Sequence, residues 1–120
     1  MICGQMYMAA HKYGARAAVC RAGHRHASRK EARRCDDLHL LAAVGEITQL
    51  RIAPQYGFCV NGVPRKYCGS NRRLKYVADF SYINRSGGYI VEDVKGVKTP
   101  AYKIKKALMK ALNGIDVFET

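Results

Sequence analysis

Two β-rich segments joined by a short glycine-containing turn constrain this chain more than any other feature. Leu74–Ile83 and Tyr89–Lys95 are rich in β-branched and aromatic residues, and Asn84–Gly88 between them carries two glycines. This pattern predicts an antiparallel hairpin of two strands. An ordinary surface hairpin is the alternative, but apolar residues at Tyr76–Ala78 and Tyr89–Val91 indicate that both faces are buried.

The hairpin is predicted to bring two carboxylates and a lysine together. With the turn centred on Ser86, Asp79 lies directly opposite Asp93, and Lys95 follows on the same face. Directly opposed side chains have Cβ atoms roughly 4.5–5.5 Å apart, so two unpartnered carboxylates would repel each other. A divalent cation removes this conflict, and carboxylate oxygens suit Mg²⁺ or Mn²⁺. Glu92 has the opposite parity and is expected to take no part.

A first helix is predicted to begin at Ser28 and to end before Gly45. Ser28 and Glu31 have the spacing of a capping box, and Gly45 supplies the stop. Glu31 shares a helical face with Cys35 and Leu38, so its side chain is expected to point towards the sheet. Glu31 is therefore either the reciprocal partner of the Ser28 cap or a further metal ligand.

A second helix is predicted to begin after Thr99, with Pro100 at its first position, and to end at Asn113–Gly114. Ile115–Phe118 then reads as a final strand. A strand, a helix and a strand in succession predict a right-handed crossover onto one sheet. The apolar stripe of this helix is predicted to consist of Ile104, Leu108, Ala111 and Leu112.

The order of elements predicts an α/β domain with a mixed (α+β) sheet. Residues 17–120 form this single domain, and residues 1–16 are expected to be a basic N-terminal arm. Shorter signals are strands at Ile47–Ala53 and Tyr56–Val60, a basic loop at Pro64–Arg73, and a hairpin of Ala17–Cys20 with His24–Ala27.

Charge points to a polyanionic partner. The chain has 21 basic and 9 acidic residues, a net charge of +12, and an apolar content of 48% that argues against a disordered tail. No apolar stretch approaches the roughly 18 residues of a membrane span. DNA is the expected partner, bound through its backbone. The residues predicted to contact it are Arg29, Arg33, Lys98, Lys103, Lys106 and Lys110.

The odd number of cysteines, 5, without a C-x-x-C pair favours reduced thiols in a cytoplasm. A zinc site from Cys20, His24, His26 and Cys35 is conceivable because these residues are close in sequence. Their spacing matches no common structural zinc pattern, however. Cys35 also lies on an apolar helix face, where a buried thiol needs no metal.

Several ordered blocks of the sequence carry a family resemblance. Asp79 followed by Asp93-Val94-Lys95 resembles the D…(D/E)-x-K signature of the PD-(D/E)XK nuclease superfamily, with Ala78 in place of the proline. The chain also resembles a family of small phage and prophage proteins. The blocks that carry this second resemblance are Ser28–Arg34, Gly45–Ile47, Tyr76–Phe80 and Val91–Gly96.

The resemblance implies a Mg²⁺-dependent endonuclease with a restriction-endonuclease-like core, acting on phage recombination or replication intermediates in the bacterial host cytoplasm. It implies that Asp79, Asp93 and the Val94 carbonyl hold the metal, that Glu31 assists, and that Lys95 serves the water or the transition state. Two alternatives remain: a non-catalytic nucleic-acid-binding protein with a degenerate nuclease fold, and a structural-metal or scaffold protein. The oligomeric state is open, and a two-fold homodimer would let two sites cut opposite strands.

Overall fold

The structure, a computed structural model, describes residues 16–120, so the predicted basic arm at 1–16 lies almost entirely outside the described residues. None of the helices in the described part is long and apolar enough to cross a membrane. The elements in chain order are β1 (Ala18–Val19), β2 (Arg25–His26), α1 (Arg29–Ala43), β3 (Ile47–Ile52), β4 (Gln55–Gly57), β5 (Cys59–Val60), β6 (Val63–Pro64), β7 (Lys75–Val77), β8 (Phe80–Asn84), β9 (Tyr89–Asp93), α2 (Pro100–Asn113) and β10 (Val117–Glu119).

A four-stranded sheet with the order β10-β9-β8-β3 forms the centre of the fold. The β3–β8 and β8–β9 pairs are antiparallel, whereas β10 pairs with β9 in parallel after the α2 crossover. The hairpin register pairs Phe80 with Glu92 and Ser81 with Val91, which confirms a turn centred on Ser86. The prediction of a mixed α/β protein is therefore confirmed.

The prediction of one continuous strand over Leu74–Ile83 is wrong. The predicted strand is divided into β7 and β8. Only β8 belongs to the central sheet, whereas β7 pairs with β4 in a separate two-stranded sheet. The break is explained on the facing chain, where Ala53 has a left-handed φ of 53° and Pro54 has no N–H to donate. We call the segment that projects beyond this break, residues 54–78, the β-finger.

The β-finger also corrects the predicted strand Tyr56–Val60. Phe58 interrupts it, so that β4 pairs with β7 while β5 pairs with β6. Asn61 and Gly62 turn the chain between β5 and β6 with φ values of 52° and 77°, as a tight hairpin requires. The short N-terminal hairpin of β1 and β2 is confirmed.

Two apolar clusters cover the two faces of the central sheet. The first packs α1 and the β1–β2 hairpin on the sheet, and its buried residues are Cys20, Ala32, Cys35, Leu38, Ile47, Phe80 and Tyr82. The second packs α2 and the β-finger on the other face, and its buried residues are Phe58, Tyr76, Ala78, Val91, Tyr102, Met109 and Val117.

The helix boundaries follow the predicted caps, but the buried face of α2 does not. Ser28 Oγ accepts the Glu31 N–H, and Thr99 Oγ1 accepts the Tyr102 N–H. On α2, Ile104 is 62% exposed, and the side chains that α2 buries are those of Tyr102 and Met109. Leu112, another member of the predicted stripe, is also exposed. The helix is rotated from the predicted orientation because the aromatic residues of the β-finger pack on Tyr102.

Candidate functional site

Asp79 and Asp93 lie side by side at the point where β8 begins and β9 ends. The Asp79 N–H donates to Asp93 Oδ1 at 3.1 Å, and the Val94 N–H donates to Asp79 Oδ2 at 2.7 Å. The Asp79 N–H also donates to the Glu92 carbonyl at 3.2 Å, so this donor is shared between the β9 backbone and the Asp93 carboxylate. Each carboxylate is thus held by the backbone next to the other. The use of the Val94 carbonyl as a metal ligand stays a prediction.

Lys95 and two tyrosines surround the Asp93 carboxylate. Lys95 Nζ lies 3.6 Å from Asp93 Oδ2 and 4.1 Å from the centre of the Tyr102 ring. The Tyr76 hydroxyl donates to the same Asp93 oxygen. Asp93 is almost completely buried, whereas the Lys95 side chain remains about a quarter exposed at 24%. The ammonium is therefore fixed in position but open to a ligand from solvent.

Glu31 reaches the same region from the opposite side, at the start of α1. Its N–H is capped by Ser28, but its carboxylate does not return to the cap. Glu31 Oε1 lies 3.1 Å from His26 Nδ1 instead. Burial raises the pKa of Glu31, and the negative charges of Asp79 and, more weakly, Asp93 raise it further. We call Glu31, Asp79 and Asp93 the carboxylate cluster.

The carboxylate cluster is electrostatically unfavourable when all three groups are ionised. Burial raises the pKa of Asp79 and of Asp93 above the usual range, although the Val94 N–H and Lys95 favour their ionised forms. A divalent cation would lower all three pKa values together. Three carboxylates are hard oxygen donors of the kind that Mg²⁺ and Mn²⁺ prefer. The carboxylate chemistry therefore suits the predicted metal. Among the described residues, however, the ligand atoms that come within 4.8 Å of one another are those of Cys20, His24, His26 and Cys35, so binding of Mg²⁺ by the three carboxylates stays a prediction.

Glu92, which the sequence leaves without a role, is a structural residue on the face covered by α1. It is completely buried, and Arg34 Nη2 donates to its Oε2 at 3.0 Å. The Tyr82 hydroxyl donates to the same oxygen at 2.7 Å. Glu92 therefore belongs to the packing of α1 on the sheet.

A basic groove of about 340 Å³ opens beside Lys95, between the β-finger and α2. Tyr67 and Tyr102 contribute aromatic rings to it, and Arg72 and Lys105 lie over the Tyr67 ring at 5.3 and 5.7 Å. Within the described part of the chain no acidic side chain lines this groove. Its cationic residues are Arg72, Lys75, Lys95 and Lys105.

The groove contains cations that the sequence analysis missed. In the predicted strand, Lys75 lies on the same face as Asp79, and this alternation could have indicated its position from the sequence. Lys105 follows Tyr102 by three residues and so lies on the same side of α2. The importance of both positions depends on the β-finger meeting α2, which local patterns do not reveal.

Three of the six residues predicted to contact DNA are engaged in ion pairs. Lys98 and Lys106 lie 3.0 and 3.1 Å from the two oxygens of Glu119, and Lys110 lies 2.7 Å from Asp116. Hydrogen bonds from the Tyr102 hydroxyl, Lys98 and Lys106 lower the pKa of Glu119 to about 2. Glu119 is therefore ionised near neutrality. The other three predicted residues, all exposed, are Arg29, Arg33 and Lys103.

The four residues considered for zinc come together although their spacing is unusual. One ligand atom from each of Cys20, His24, His26 and Cys35 lies within 4.8 Å of all the others. We call this group the thiol–imidazole cluster. It lies on the α1 side of the sheet, where His26 is hydrogen-bonded to Glu31.

The fold and these two clusters define a small mixed α/β protein with a partly buried carboxylate cluster at a strand break. The chain belongs to the family described as protein of unknown function (DUF1064), whose model matches residues 10–114. No curated protein and no solved structure matches the chain.

Proposed function

We propose that this protein is a Mg²⁺-dependent endonuclease that hydrolyses phosphodiester bonds in DNA, with Mn²⁺ as a substitute. The proposal includes a restriction-endonuclease-like core and membership of the PD-(D/E)XK superfamily. The observation that carries it is the pair of carboxylates, Asp79 and Asp93, each held by a backbone N–H of the other strand, with Lys95 beside them. Surface ion pairs do not require this degree of burial and backbone fixation.

In this proposal the side chains divide the work according to their positions. Asp79, Asp93 and the Val94 carbonyl hold the metal, and Glu31 assists from α1. When bound, Mg²⁺ supplies positive charge that polarises the phosphate and lowers the pKa of the attacking water. Lys95 places its ammonium where negative charge develops on the phosphorus oxygens, and the Tyr102 ring below it fixes that position. Tyr76 and the backbone keep Asp93 oriented.

The basic groove supplies the contact with the substrate backbone. Its cations lie next to Lys95, so a phosphate chain in the groove leads directly to the carboxylate cluster. Phosphate contacts of this kind position a nucleic acid without reading its sequence. The partly exposed ring of Tyr67 offers a face on which an exposed base stacks, whereas Tyr102 is buried beneath Lys95. The groove therefore supports binding of a backbone with locally unpaired bases, as occurs in branched DNA.

A cleavage panel of linear, single-stranded, flap and junction DNAs tests the proposal, with Mg²⁺, Mn²⁺ or EDTA present. Cleavage is expected only with a divalent cation. Asp79→Asn should abolish cleavage and Mn²⁺ binding while DNA affinity is kept or raised. Lys95→Ala should keep the metal and lose roughly 10²-fold or more in rate, as when one transition-state donor is removed.

Asp37→Asn is the matched control because Asp37 is an exposed carboxylate on the outer side of α1. It should cleave like the parent protein. Equal activity of the parent, Asp79→Asn and Lys95→Ala would refute the assignment. DNA binding without cleavage under any metal would favour the non-catalytic binding protein instead.

A further inference from the structure

We propose that the thiol–imidazole cluster is a structural zinc site, in which Cys20, His24, His26 and Cys35 bind one Zn²⁺ tetrahedrally. This site takes none of its ligands from the carboxylate cluster, although His26 contacts Glu31 of that cluster, and it does not depend on the proposed nuclease activity. A set of two sulfur and two imidazole ligands in tetrahedral geometry is typical of zinc. Two thiolates also balance the charge of the ion, which allows it to be buried.

The distances within the cluster agree with zinc coordination. With Zn–S of about 2.3 Å and Zn–N of about 2.0 Å, a tetrahedral site places sulfur and nitrogen about 3.6 Å apart. His24 Nδ1 lies 3.5 Å from Cys20 Sγ and 3.7 Å from Cys35 Sγ. The separations of this imidazole nitrogen from both sulfurs therefore match those expected between two ligands of one zinc ion.

His26 provides a second and independent sign of a missing partner. The residue is 3% exposed, and its Nε2 is buried without a hydrogen-bond partner in the described part of the protein. Its other nitrogen, Nδ1, is 3.1 Å from the Glu31 carboxylate. A histidine that ligates a metal commonly donates its second N–H to a carboxylate, which fixes the ring and its tautomer. Zinc at Nε2 would satisfy the orphaned atom and explain the Glu31 contact.

The local structure holds the remaining ligands in place. The turn between β1 and β2 is closed by a bond from the Cys20 N–H to the His24 carbonyl at 2.9 Å. The His24 N–H donates to Cys20 Sγ at 3.3 Å, an arrangement that favours a thiolate. His39 donates from Nδ1 to the Cys35 carbonyl and stacks on His24, with ring centres 5.4 Å apart. The β1–β2 hairpin therefore contributes Cys20, His24 and His26, and α1 contributes Cys35. The backbone of each element fixes the positions of its ligands.

Zinc content of the full protein, purified from a zinc-supplemented culture, is the first test. One zinc per chain is expected by elemental mass spectrometry. After removal of zinc with a chelator, Co²⁺ should restore one equivalent, with the intense visible bands of a tetrahedral ion and a thiolate charge-transfer band. Weak, octahedral-type Co²⁺ bands would refute the proposal, as would a Cys20–Cys35 disulfide in place of bound zinc.

Variants assign the ligands and separate this site from the carboxylate cluster. Cys35→Ser should lose zinc at least tenfold more readily in a chelator competition, and Cys59→Ser, at an exposed free cysteine, should behave like the parent. Asp79→Asn should also keep its zinc. Because Cys35→Ser could fail to fold, the Co²⁺ spectrum of the unaltered protein remains decisive. Retention of full zinc by a folded Cys35→Ser variant would overturn the assignment.

Discussion

The buried pair of Arg34 and Glu92 gives the sharpest prediction about stability. Removing one partner of a buried ion pair costs about 3–5 kcal/mol, because the other charge remains desolvated and unpaired. The Arg34 side chain is 27% exposed, so its charge is partly solvated after the pair is broken. We therefore expect Glu92→Gln to lower the free energy of unfolding by about 3 kcal/mol, the lower end of this range. For a domain of about 100 residues this corresponds to a fall in Tm of roughly 15 °C.

Urea unfolding followed by circular dichroism measures this effect, with Glu46→Gln as the control. Glu46 pairs with Arg85 at the surface, where the Glu46 side chain is 44% and the Arg85 side chain 76% exposed, so its loss should cost less than about 1 kcal/mol. In a double-mutant cycle, Arg34→Met should remove most of the penalty of Glu92→Gln because no unpaired charge is left. Additive effects in the cycle, or a Glu92→Gln loss no larger than the control, would refute the reasoning.

Two further predictions concern ions and DNA. The raised pKa values of Glu31, Asp79 and Asp93 mean that their contribution to stability is present at low pH and is lost as pH rises through those values. Mg²⁺ should therefore raise Tm more at mildly alkaline than at mildly acidic pH in thermal melts, and equal shifts would contradict this. The double variant Lys75→Ala/Lys105→Ala should weaken DNA binding in fluorescence titrations. The slope of log K against log salt concentration should fall in magnitude by up to about 2, and an unchanged slope would exclude the groove from the DNA interface.

The hairpin of β8 and β9 was predictable because the residues that determine its register are close together in sequence. The alternation of side chains and a turn centred on Ser86 determine which residues face each other. The juxtaposition of Asp79 and Asp93 follows from that register and from no other part of the chain. The caps at Ser28 and Thr99 were predictable for the same reason, since each depends on residues within one helical turn.

The features that the sequence did not reveal depend on contacts between distant segments. The strand break before Asp79 is caused by Ala53 and Pro54, which lie between β3 and β4. The structural role of Glu92 depends on Arg34, which is far away in sequence and arrives on α1. Proximity in sequence suggested the four residues of the thiol–imidazole cluster, but their convergence joins a hairpin to a helix, which no fixed spacing template describes. Local periodicity carries no information about any of these pairings.

The β-finger has a consequence for how proteins of this kind can vary. Its two ends are joined by hydrogen bonds from the Ala53 N–H to the Asp79 carbonyl at 2.9 Å and from the Ala78 N–H to the Pro54 carbonyl at 3.1 Å. Phe58 and Tyr76 anchor its base in the second apolar cluster, while the tip beyond them is exposed. Doubling the length of a flexible tip costs only about 0.6 kcal/mol in closure entropy. Insertions there would reshape the outer wall of the groove while leaving the spacing of Asp79 and Asp93 untouched.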